Sequence, residues 1–241
     1  MKILQLNIWG GRLGSQIIEL INKEKPDMVC LQEVIDIEGG GGFFFTELNK
    51  IKSDTSFEYC DFAPSFGFNV MKRKAQFGLA TLSTLPFTKT TTIATGLEYE
   101  DDFDVLDSDY NIRTLQHTVV EYSGQSLHLL NHHGHHVPGH KDGDAETMRQ
   151  CKLIADYVAG LEGQVVLCGD FNLNADSDSL EQVNLKLTNH VKEKNILTTR
   201  TNLTHKTEAC DYIFTNSKVE VKEFKVLDDI VSDHKALIIE F

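Results

Sequence analysis

The sequence predicts an α/β fold, because short apolar runs typical of buried strands alternate with segments whose apolar residues recur at helical spacing. The first such unit is a strand over 3–8, a helix with Ile17, Leu20 and Ile21 on one face, and a strand over 28–34. We expect residues 1–241 to form one domain, since chains of this length often fold around one core and no linker or repeat divides the sequence.

The middle of the chain carries turn-forming residues at the intervals expected of antiparallel strands. Runs between 57 and 95 are broken by glycines and Pro86, so we expect consecutive antiparallel strands there. Four glycines at 39–42 predict a loop that leads into a helix through about residue 52. The acidic stretch 98–109 indicates a solvated loop.

The second half of the chain continues the same alternation. Ser123 and Gly124 indicate a hairpin between two predicted strands, and Asp144 is the expected cap of a helix. The strands predicted in this half cover 111–121, 126–132, 165–168, 212–214 and 236–241.

The charge of the chain is strongly acidic, with 36 Asp and Glu against 23 Lys and Arg and a net charge of -13. Such a field disfavours tight non-specific binding to DNA. The surplus is either a solvated acidic surface or, in part, a group of carboxylates that binds a cation for an anionic substrate. Five cysteines without a CxxC pair and the lack of a membrane-length apolar segment lead us to expect a cytoplasmic location without a membrane span.

Polar residues stand where several predicted strands end or begin, and such strand ends are where loops meet to form a site. Hydrolysis of a phosphate ester needs a cation, a base for water, and donors for developing charge. The residues that could supply these functions are Asn7, Glu33, Asp170, Asn172, Asp233 and His234.

Taken together, seven short motifs occur along the chain in a characteristic order. They are Leu6-Asn7, Leu31-Gln32-Glu33, Gly78-Leu79-Ala80 with Leu82-Ser83, Asn131-His132-His133, Gly169-Asp170-Phe171-Asn172, Asp211-Tyr212-Ile213 and Ser232-Asp233-His234. This ordered set resembles the endonuclease/exonuclease/phosphatase superfamily, which has the DNase I-like fold. One departure is Gln76-Phe77, where the family usually carries Asn or Asp before Gly-Leu-Ala.

The resemblance implies a four-layer α/β sandwich, in which two mixed β-sheets pack face to face with flanking helices. It also implies a metal-dependent phosphoric ester hydrolase that attacks its substrate with an activated water. A phosphodiester is favoured over a monoester, and the substrate classes left open are a small molecule, a lipid headgroup and a nucleic acid.

The same resemblance implies roles for the residues that match the family motifs. Glu33 would be the main carboxylate ligand of Mg²⁺ or Mn²⁺, with Asn7 and Asp233 near the same ion; oxygen ligands suit either metal. Asp170 would orient or deprotonate the attacking water, and Asn172 would help to hold the water or the phosphoryl oxygens.

Histidines would carry the remaining chemistry. His234, paired with Asp211, would donate to the developing charge or transfer a proton. His133 matches the His that contacts the phosphate or the leaving group, and a slip of one residue would give this role to His132 instead. Arg113, expected inside a strand, is either a phosphate-binding residue or part of a structural salt bridge.

Two other functions are compatible with the sequence. The chain could be a binding module of the same fold that has lost catalysis, although Glu33, Asp170, Asp211 and His234 are all present. Six of the ten histidines lie between His128 and His140, which raises the possibility of a zinc-binding protein organised by this His-rich loop. Four scattered basic residues could line a phosphate pocket without any spacing rule to support them: Lys141, Arg149, Arg200 and Lys206.

Overall fold

A computed structural model describes residues 1–39, 45–106 and 111–241. Within these ranges the strands are β1 (Lys2–Asn7), β2 (Met28–Ile37), β3 (Tyr59–Val70), β4 (Arg73–Ser83), β5 (Phe87–Ala94), β6 (Thr114–Tyr122), β7 (Gln125–His133), β8 (Gln164–Asp170), β9 (Thr188–Asn189), β10 (Asp211–Thr215), β11 (Glu223–Val226) and β12 (Leu237–Glu240). The α-helices are α1 (Gly14–Glu24), α2 (Leu48–Ser53), α3 (Ala145–Ala159), α4 (Asp178–Asn184) and α5 (His190–Glu193).

The strands form two mixed six-stranded sheets, with the orders β11-β12-β1-β2-β4-β3 and β5-β6-β7-β8-β10-β9. The parallel pairs are β1 with β2 and β7 with β8, both near the centre of their sheets. Residues of α1 and α2 pack on the first sheet, and residues of α3 and α4 pack in the core of the second. The predicted four-layer sandwich of two mixed sheets is therefore confirmed.

Side chains along β1 alternate between the two faces of its sheet, as strand geometry requires. Leu4 and Leu6 pack with α1, whereas Ile3 packs with residues of the second sheet. Gln5 and Asn7 share the face of Ile3, and both are fully buried. The layer between the sheets is thus apolar at one end of β1 and polar at the other.

Buried amide side chains join the sheets near this polar end. Gln32 accepts a hydrogen bond from Gln5 Nε2 at 2.8 Å and donates from its own Nε2 to Asn131 Oδ1 at 2.7 Å. Asn131 Nδ2 in turn donates to the backbone oxygens of Leu31 and Ala80, at 3.1 and 3.2 Å. Because buried amides are costly unless they are hydrogen-bonded, these contacts fix how the two sheets align.

Several sequence predictions of local structure are confirmed. Asp144 caps α3 in a capping box with Thr147, and α1 ends at Glu24, just before Pro26. The β6–β7 hairpin turns at Ser123 and Gly124, whose φ angles of 50° and 76° match the left-handed turn that such hairpins favour.

Other predictions need correction. The strand that contains Glu33 does not end there, because β2 continues to Ile37 through a bulge between Leu31 and Val34. Arg113 lies one residue before β6 and not inside a strand. The strands predicted between 57 and 95 do not stay in one sheet, since β3 pairs with β4 but β5 pairs with β6 in the second sheet.

Some predicted features are only partly described. Most of the glycine run at 39–42, and residues 107–109 of the acidic loop, lie outside the described residues. The prediction that residues 1–241 form one domain stays a prediction. Among the described helices, none is long and apolar enough to cross a bilayer.

Candidate active site

A cavity of about 760 Å³ lies where β1, β7 and β8 end, and we call it the cleft. Seven of the nine predicted site residues line it: Glu33, Arg113, His133, Asp170, Asn172, Asp233 and His234. The other two, Asn7 and Asp211, are fully buried and hydrogen-bonded to residues that line it. The structure therefore brings all nine side chains together around one cavity.

Asn7 joins two of the carboxylates. Its Nδ2 lies 3.1 Å from Glu33 Oε1 and 3.1 Å from Asp170 Oδ2, so one amide group donates to both. Its Oδ1 accepts a hydrogen bond from the backbone N–H of Trp9 at 3.0 Å, which fixes the orientation of the amide. In this orientation Asn7 holds the two carboxylates side by side.

The bulge in β2 brings Glu33 to this position. Alternation from Gln32, which faces the second sheet, would turn the next side chain toward the helices. The bulge, where Glu33 adopts a φ of +56°, instead aims its carboxylate at Asn7, as bulges beside functional sites often do. Burial raises the pKa of Glu33, and the nearby Asp170 and Asp233 raise it further against the opposing effects of His234 and Asn7.

Asp170 is the last residue of β8 and is almost fully buried. Its Oδ1 accepts from the backbone N–H of Asn172 at 2.9 Å, and its Oδ2 lies 3.8 Å from His133 Nε2 and 3.6 Å from His234 Nε2. Burial would raise the pKa of Asp170, but His234, His133 and nearby cations outweigh it and hold that pKa well below its usual range. Asp170 is therefore an anion that faces two imidazoles.

His234 forms a buried pair with Asp211. Its Nδ1 donates to Asp211 at 2.8 Å from Oδ2, and that carboxylate also accepts from Thr199 Oγ1 at 2.6 Å and from Gln5 Nε2 at 3.3 Å. Burial alone would lower the pKa of His234, but Asp211 and Asp170 outweigh it and raise that pKa. When the ring is neutral, its Nε2 accepts a hydrogen bond from Arg200. When the ring is protonated, Nε2 carries a proton that faces Asp170. His234 can therefore hold or release a proton at Nε2, on the side of the cleft.

Of the two adjacent histidines, His133 is among the residues that line the cleft and His132 is not. His132 is buried, donates from Nδ1 to the carbonyl of Thr114 at 2.9 Å and packs edge-on against Phe171. His133 lines the cleft, and its Nδ1 accepts from Arg113 at 3.3 Å. Burial, reinforced by Arg113, lowers the pKa of His133 well below its usual range, so its Nε2–H points to the carboxylates as a neutral donor.

Asn172 is fixed by a lysine that the sequence did not assign to any motif. Lys141 is almost fully buried and donates to Asn172 Oδ1 at 2.6 Å and to His136 Nδ1 at 2.9 Å. Asn172 Nδ2 donates to the carbonyl of Gly134 at 3.3 Å. Lys141 holds the oxygen of this amide, and its nitrogen has a second hydrogen besides the one donated to Gly134. That second hydrogen can be donated to a ligand. A Cβ on Gly134 would lie 2.5 Å from Phe171 O, so this close approach requires glycine.

The four scattered basic residues have different positions. Arg200 and Lys206 line the cleft, and Lys141 lies directly behind Asn172. Arg149, in contrast, binds Glu146 and the carbonyl of Thr95 and is not among the residues that line the cleft. Two aromatic residues to which no role is assigned from the sequence, Trp9 and Phe77, also line it.

The donor set of the cleft fits a hard divalent cation. Glu33, Asp170 and Asp233 line the cleft with carboxylate oxygens, and burial, with a smaller contribution from Asp170 and Asp233, raises the pKa of Glu33, an effect that a bound cation would oppose. Among the described residues, the one group of possible ligands that converges within 4.8 Å is Asp170, Cys210, Asp211 and His234. This second group fits less well, because Asp211 is already hydrogen-bonded to His234, Thr199 and Gln5, and burial raises the pKa of the Cys210 thiol.

The His-rich loop does not form a comparable group in the part of the chain that the structure describes. His136 contacts Lys141, His135 Nε2 lies 3.7 Å from Asp144, and His140 Nδ1 lies 3.9 Å from Asp142. His135 and His136 line the cleft together with His133. The loop therefore forms part of the rim of the cleft.

The two-sheet sandwich and the cleft at its strand ends define an α/β protein of the DNase I-like type. The chain belongs to the Endonuclease/Exonuclease/phosphatase family, whose sequence profile matches residues 4–234. Members of this family are hydrolases that act on phosphate esters. No curated protein sequence matches the chain significantly.

Three solved structures illustrate the range of proteins that share this fold. An endonuclease/exonuclease/phosphatase family protein from Leptotrichia buccalis has a TM-score of 0.72 and 19% identity, covering 100% of this chain and 98% of that one. The mannosyl-6-phosphatase from Bacteroides thetaiotaomicron has a TM-score of 0.74 and 16% identity, with coverage of 100% and 98%. The human Nocturnin catalytic domain with bound sulfate has a TM-score of 0.71 and 17% identity, with coverage of 99% and 93%.

Proposed function

We propose that this protein hydrolyses a phosphate ester by attack of an activated water, with Mg²⁺ or Mn²⁺ as cofactor. The observation that carries the proposal is that one cleft is lined both by carboxylates and by cations. The carboxylates are Glu33, Asp170 and Asp233 and the cations are Arg113, Arg200 and Lys206, in a chain that as a whole carries a net charge of -13. Cations that can contact phosphate oxygens, next to carboxylates that can hold a metal, suit an anion that is bound partly through that metal.

The metal would be held by Glu33 and Asp233, with Asn7 next to them. When bound, it would neutralise phosphate oxygens and stabilise charge as the ester bond breaks. Asn7 donates to Glu33 in the orientation observed, so we infer that its first task is to hold that carboxylate in place.

Two groups are available to move protons. Asp170 is ionised and buried, and its Oδ2 is positioned to orient a water molecule or to accept its proton. His234 can hold a proton at Nε2, with Asp211 fixing the ring and stabilising its charged form. Both roles fit the contacts of the two residues.

The remaining groups would bind the phosphate. His133 presents a neutral Nε2–H toward the carboxylates, and Asn172 presents its amide nitrogen. Arg113 lines the cleft and donates to Nδ1 of His133. The sequence favours a phosphodiester over a monoester, and a small molecule, a lipid headgroup and a nucleic acid all remain candidate substrates. The acidic surface argues against tight non-specific DNA binding, and the five free cysteines support a reducing, cytoplasmic location.

The proposal is tested by assaying purified protein with bis-p-nitrophenyl phosphate and p-nitrophenyl phosphate, after chelation and after addition of Mg²⁺ or Mn²⁺. Asp170→Asn is expected to lower kcat by about 100-fold or more, as removal of a general base does. Asp176→Asn, a change of the same chemistry at an exposed carboxylate, serves as the matched control.

Each outcome has a distinct meaning. Metal-dependent turnover that is lost in Asp170→Asn and kept in Asp176→Asn supports the proposal, and the preferred ester separates diesterase from monoesterase. Absence of turnover with either ester and either metal favours a binding module that has lost catalysis. Activity that depends on stoichiometric Zn²⁺ instead of Mg²⁺ or Mn²⁺ would overturn the assignment of the cofactor.

A further inference from the structure

Two aromatic side chains line the cleft beside the groups assigned to the phosphate. Trp9 and Phe77 are both among its lining residues, and both side chains are partly exposed. Neither offers a metal ligand, and the indole N–H of Trp9 is the one polar side-chain group of the two. Aromatic surface left uncovered in a cleft is instead suited to an apolar or flat part of a ligand.

Trp9 is held in a fixed position. It begins a short 3-10 turn, Trp9–Gly11, with a φ of +52°, and its backbone N–H donates to Asn7 Oδ1. The guanidinium carbon of Arg12 lies 4.4 Å from the centre of the indole, which covers the ring on that side. Because Asn7 also donates to Glu33 and Asp170, the backbone of Trp9 is linked through one residue to two carboxylates of the cleft.

Phe77 is supported from behind by other aromatic rings. It stacks on Phe66 with ring centres 5.0 Å apart and an interplanar angle of 15°, and Phe66 in turn packs on Phe103 at 4.4 Å. On the side of the cleft, its ring centre lies 6.4 Å from that of His133. Phe77 therefore presents a rigid apolar surface next to a phosphate-binding residue.

Both aromatic surfaces are thus fixed before any ligand arrives, which lowers the entropic cost of binding. Resting on the proposed function, we propose that Trp9 and Phe77 form a subsite for a ring in the alcohol part of the phosphate ester. The ligand is a phosphate ester whose alcohol carries a flat ring face, either a nucleobase or a sugar ring. The cations of the cleft bind its phosphate, and the aromatic residues distinguish it from esters of short open-chain alcohols.

The test uses the fact that Trp9 is the only tryptophan of the chain, so its fluorescence reports on the cleft alone. Four monoesters of the same charge are titrated into Asp170→Asn protein, in which turnover is suppressed: phenyl phosphate, uridine 5′-monophosphate, glucose 6-phosphate and glycerol 3-phosphate. Equal charge keeps the contribution of the cations constant. We expect at least one ring-bearing ester to bind about tenfold more tightly than glycerol 3-phosphate and to change the tryptophan emission, in line with the strength of aromatic stacking.

Calorimetry extends the comparison to variants that lack the tryptophan signal. Trp9→Ala and Phe77→Leu, each in the Asp170→Asn background, are expected to reduce the tenfold preference to about twofold or less, while Trp9→Phe retains most of it because a ring remains. The affinities for uridine 5′-monophosphate and glucose 6-phosphate identify whether a nucleobase or a sugar ring is bound. A circular dichroism spectrum unchanged from that of the parent confirms that each variant is folded.

The proposal is overturned if glycerol 3-phosphate binds as tightly as all three ring-bearing esters, or if folded Trp9→Ala keeps the full preference. Failure of the proposed function gives a different result, because the unsubstituted protein would hydrolyse neither these monoesters nor bis-p-nitrophenyl phosphate with any metal, while the ring preference in binding persisted. Turnover without a ring preference would leave the enzyme assignment intact and reject the subsite.

Discussion

The Nδ1 of His234 lies 2.8 Å from Asp211 Oδ2, and this hydrogen bond determines that Nε2 is the ring nitrogen that faces the cleft. Asp211 has no exposed surface, and Thr199 and Gln5 hold its carboxylate in place. The orientation of the imidazole is therefore set by buried groups and not by solvent.

Asp211→Asn removes the charge that raises the pKa of His234, so the His234-dependent limb of the pH–kcat profile should move to lower pH. We also expect kcat to fall by about 100-fold, because the ring loses the partner that stabilises its charged form. The measurement is a pH–rate profile of both proteins, with Asp176→Asn as control. An unchanged limb would show that His234 does not carry the titration that governs turnover.

Lys141 positions Asn172 through its 2.6 Å hydrogen bond to the amide oxygen. Lys141→Met should lower kcat by about tenfold or more, because a hydrogen bond from a charged donor is lost and the Asn172 amide is then free to rotate. Lys141→Arg should restore part of the rate. If Lys141 acts through Asn172, Asn172→Ala should lower kcat much less in the Lys141→Met background than in the unsubstituted protein. Fully additive losses of kcat in the double variant would contradict this role.

Asn131 fastens the two sheets to each other and is fully buried. Asn131→Ala removes the hydrogen bonds from Gln32 and to the carbonyls of Leu31 and Ala80, and we expect it to lower the free energy of unfolding by about 2–4 kcal/mol. Urea denaturation measures this change, and Asn202→Ala at an exposed position is the control. A loss below about 0.5 kcal/mol would mean that the inter-sheet amides contribute little to stability.

His117 makes stability depend on pH away from the cleft. Burial, aided by His128 and Lys89, lowers the pKa of His117 to about 4 in the folded protein, whereas its ordinary value is about 6.5. Between about pH 6.5 and pH 4, His117 is therefore protonated in the unfolded chain and neutral in the folded chain. The folded state therefore loses stability as the pH falls through this window. His117→Gln should reduce the drop in unfolding free energy between pH 7 and pH 5 by about 1–2 kcal/mol.

Thermal or urea denaturation at the two pH values checks this prediction. The exposed His205 provides the matched control, and His205→Gln should leave the drop unchanged. An equal drop in His117→Gln and in the unsubstituted protein would indicate that other groups determine the acid sensitivity.

Much of the fold could be predicted because its signals are local. The apolar run at 165–168 and the cap at Asp144 each specify an element through neighbouring residues alone, and both elements are present. The short strands β9 and β11 and the helices α4 and α5 were not predicted, since segments of two to seven residues carry too few periodic positions to stand out.

The sequence predicts the site residues that stand at the ends of strands. It predicts less well those whose position depends on how strands pair with each other. Asn7 and Asp170 end β1 and β8 as expected. Glu33 depends on a bulge, which arises from the register of β2 against β4 and not from the composition near Glu33. Arg200 reaches the cleft through a backbone bridge to His234, 34 residues away, and no local pattern could indicate this contact.

The most direct test of the central claim is a titration of the protein with Mn²⁺, followed by electron paramagnetic resonance of the free ion, for unsubstituted protein, Glu33→Gln and the exposed control Glu220→Gln. We predict at least one bound Mn²⁺ per chain and an affinity about tenfold or more lower in Glu33→Gln, because a carboxylate ligand is lost, with Glu220→Gln unchanged. Equal binding by all three proteins, or no binding by any of them, would contradict the assignment of the cleft carboxylates as a metal site.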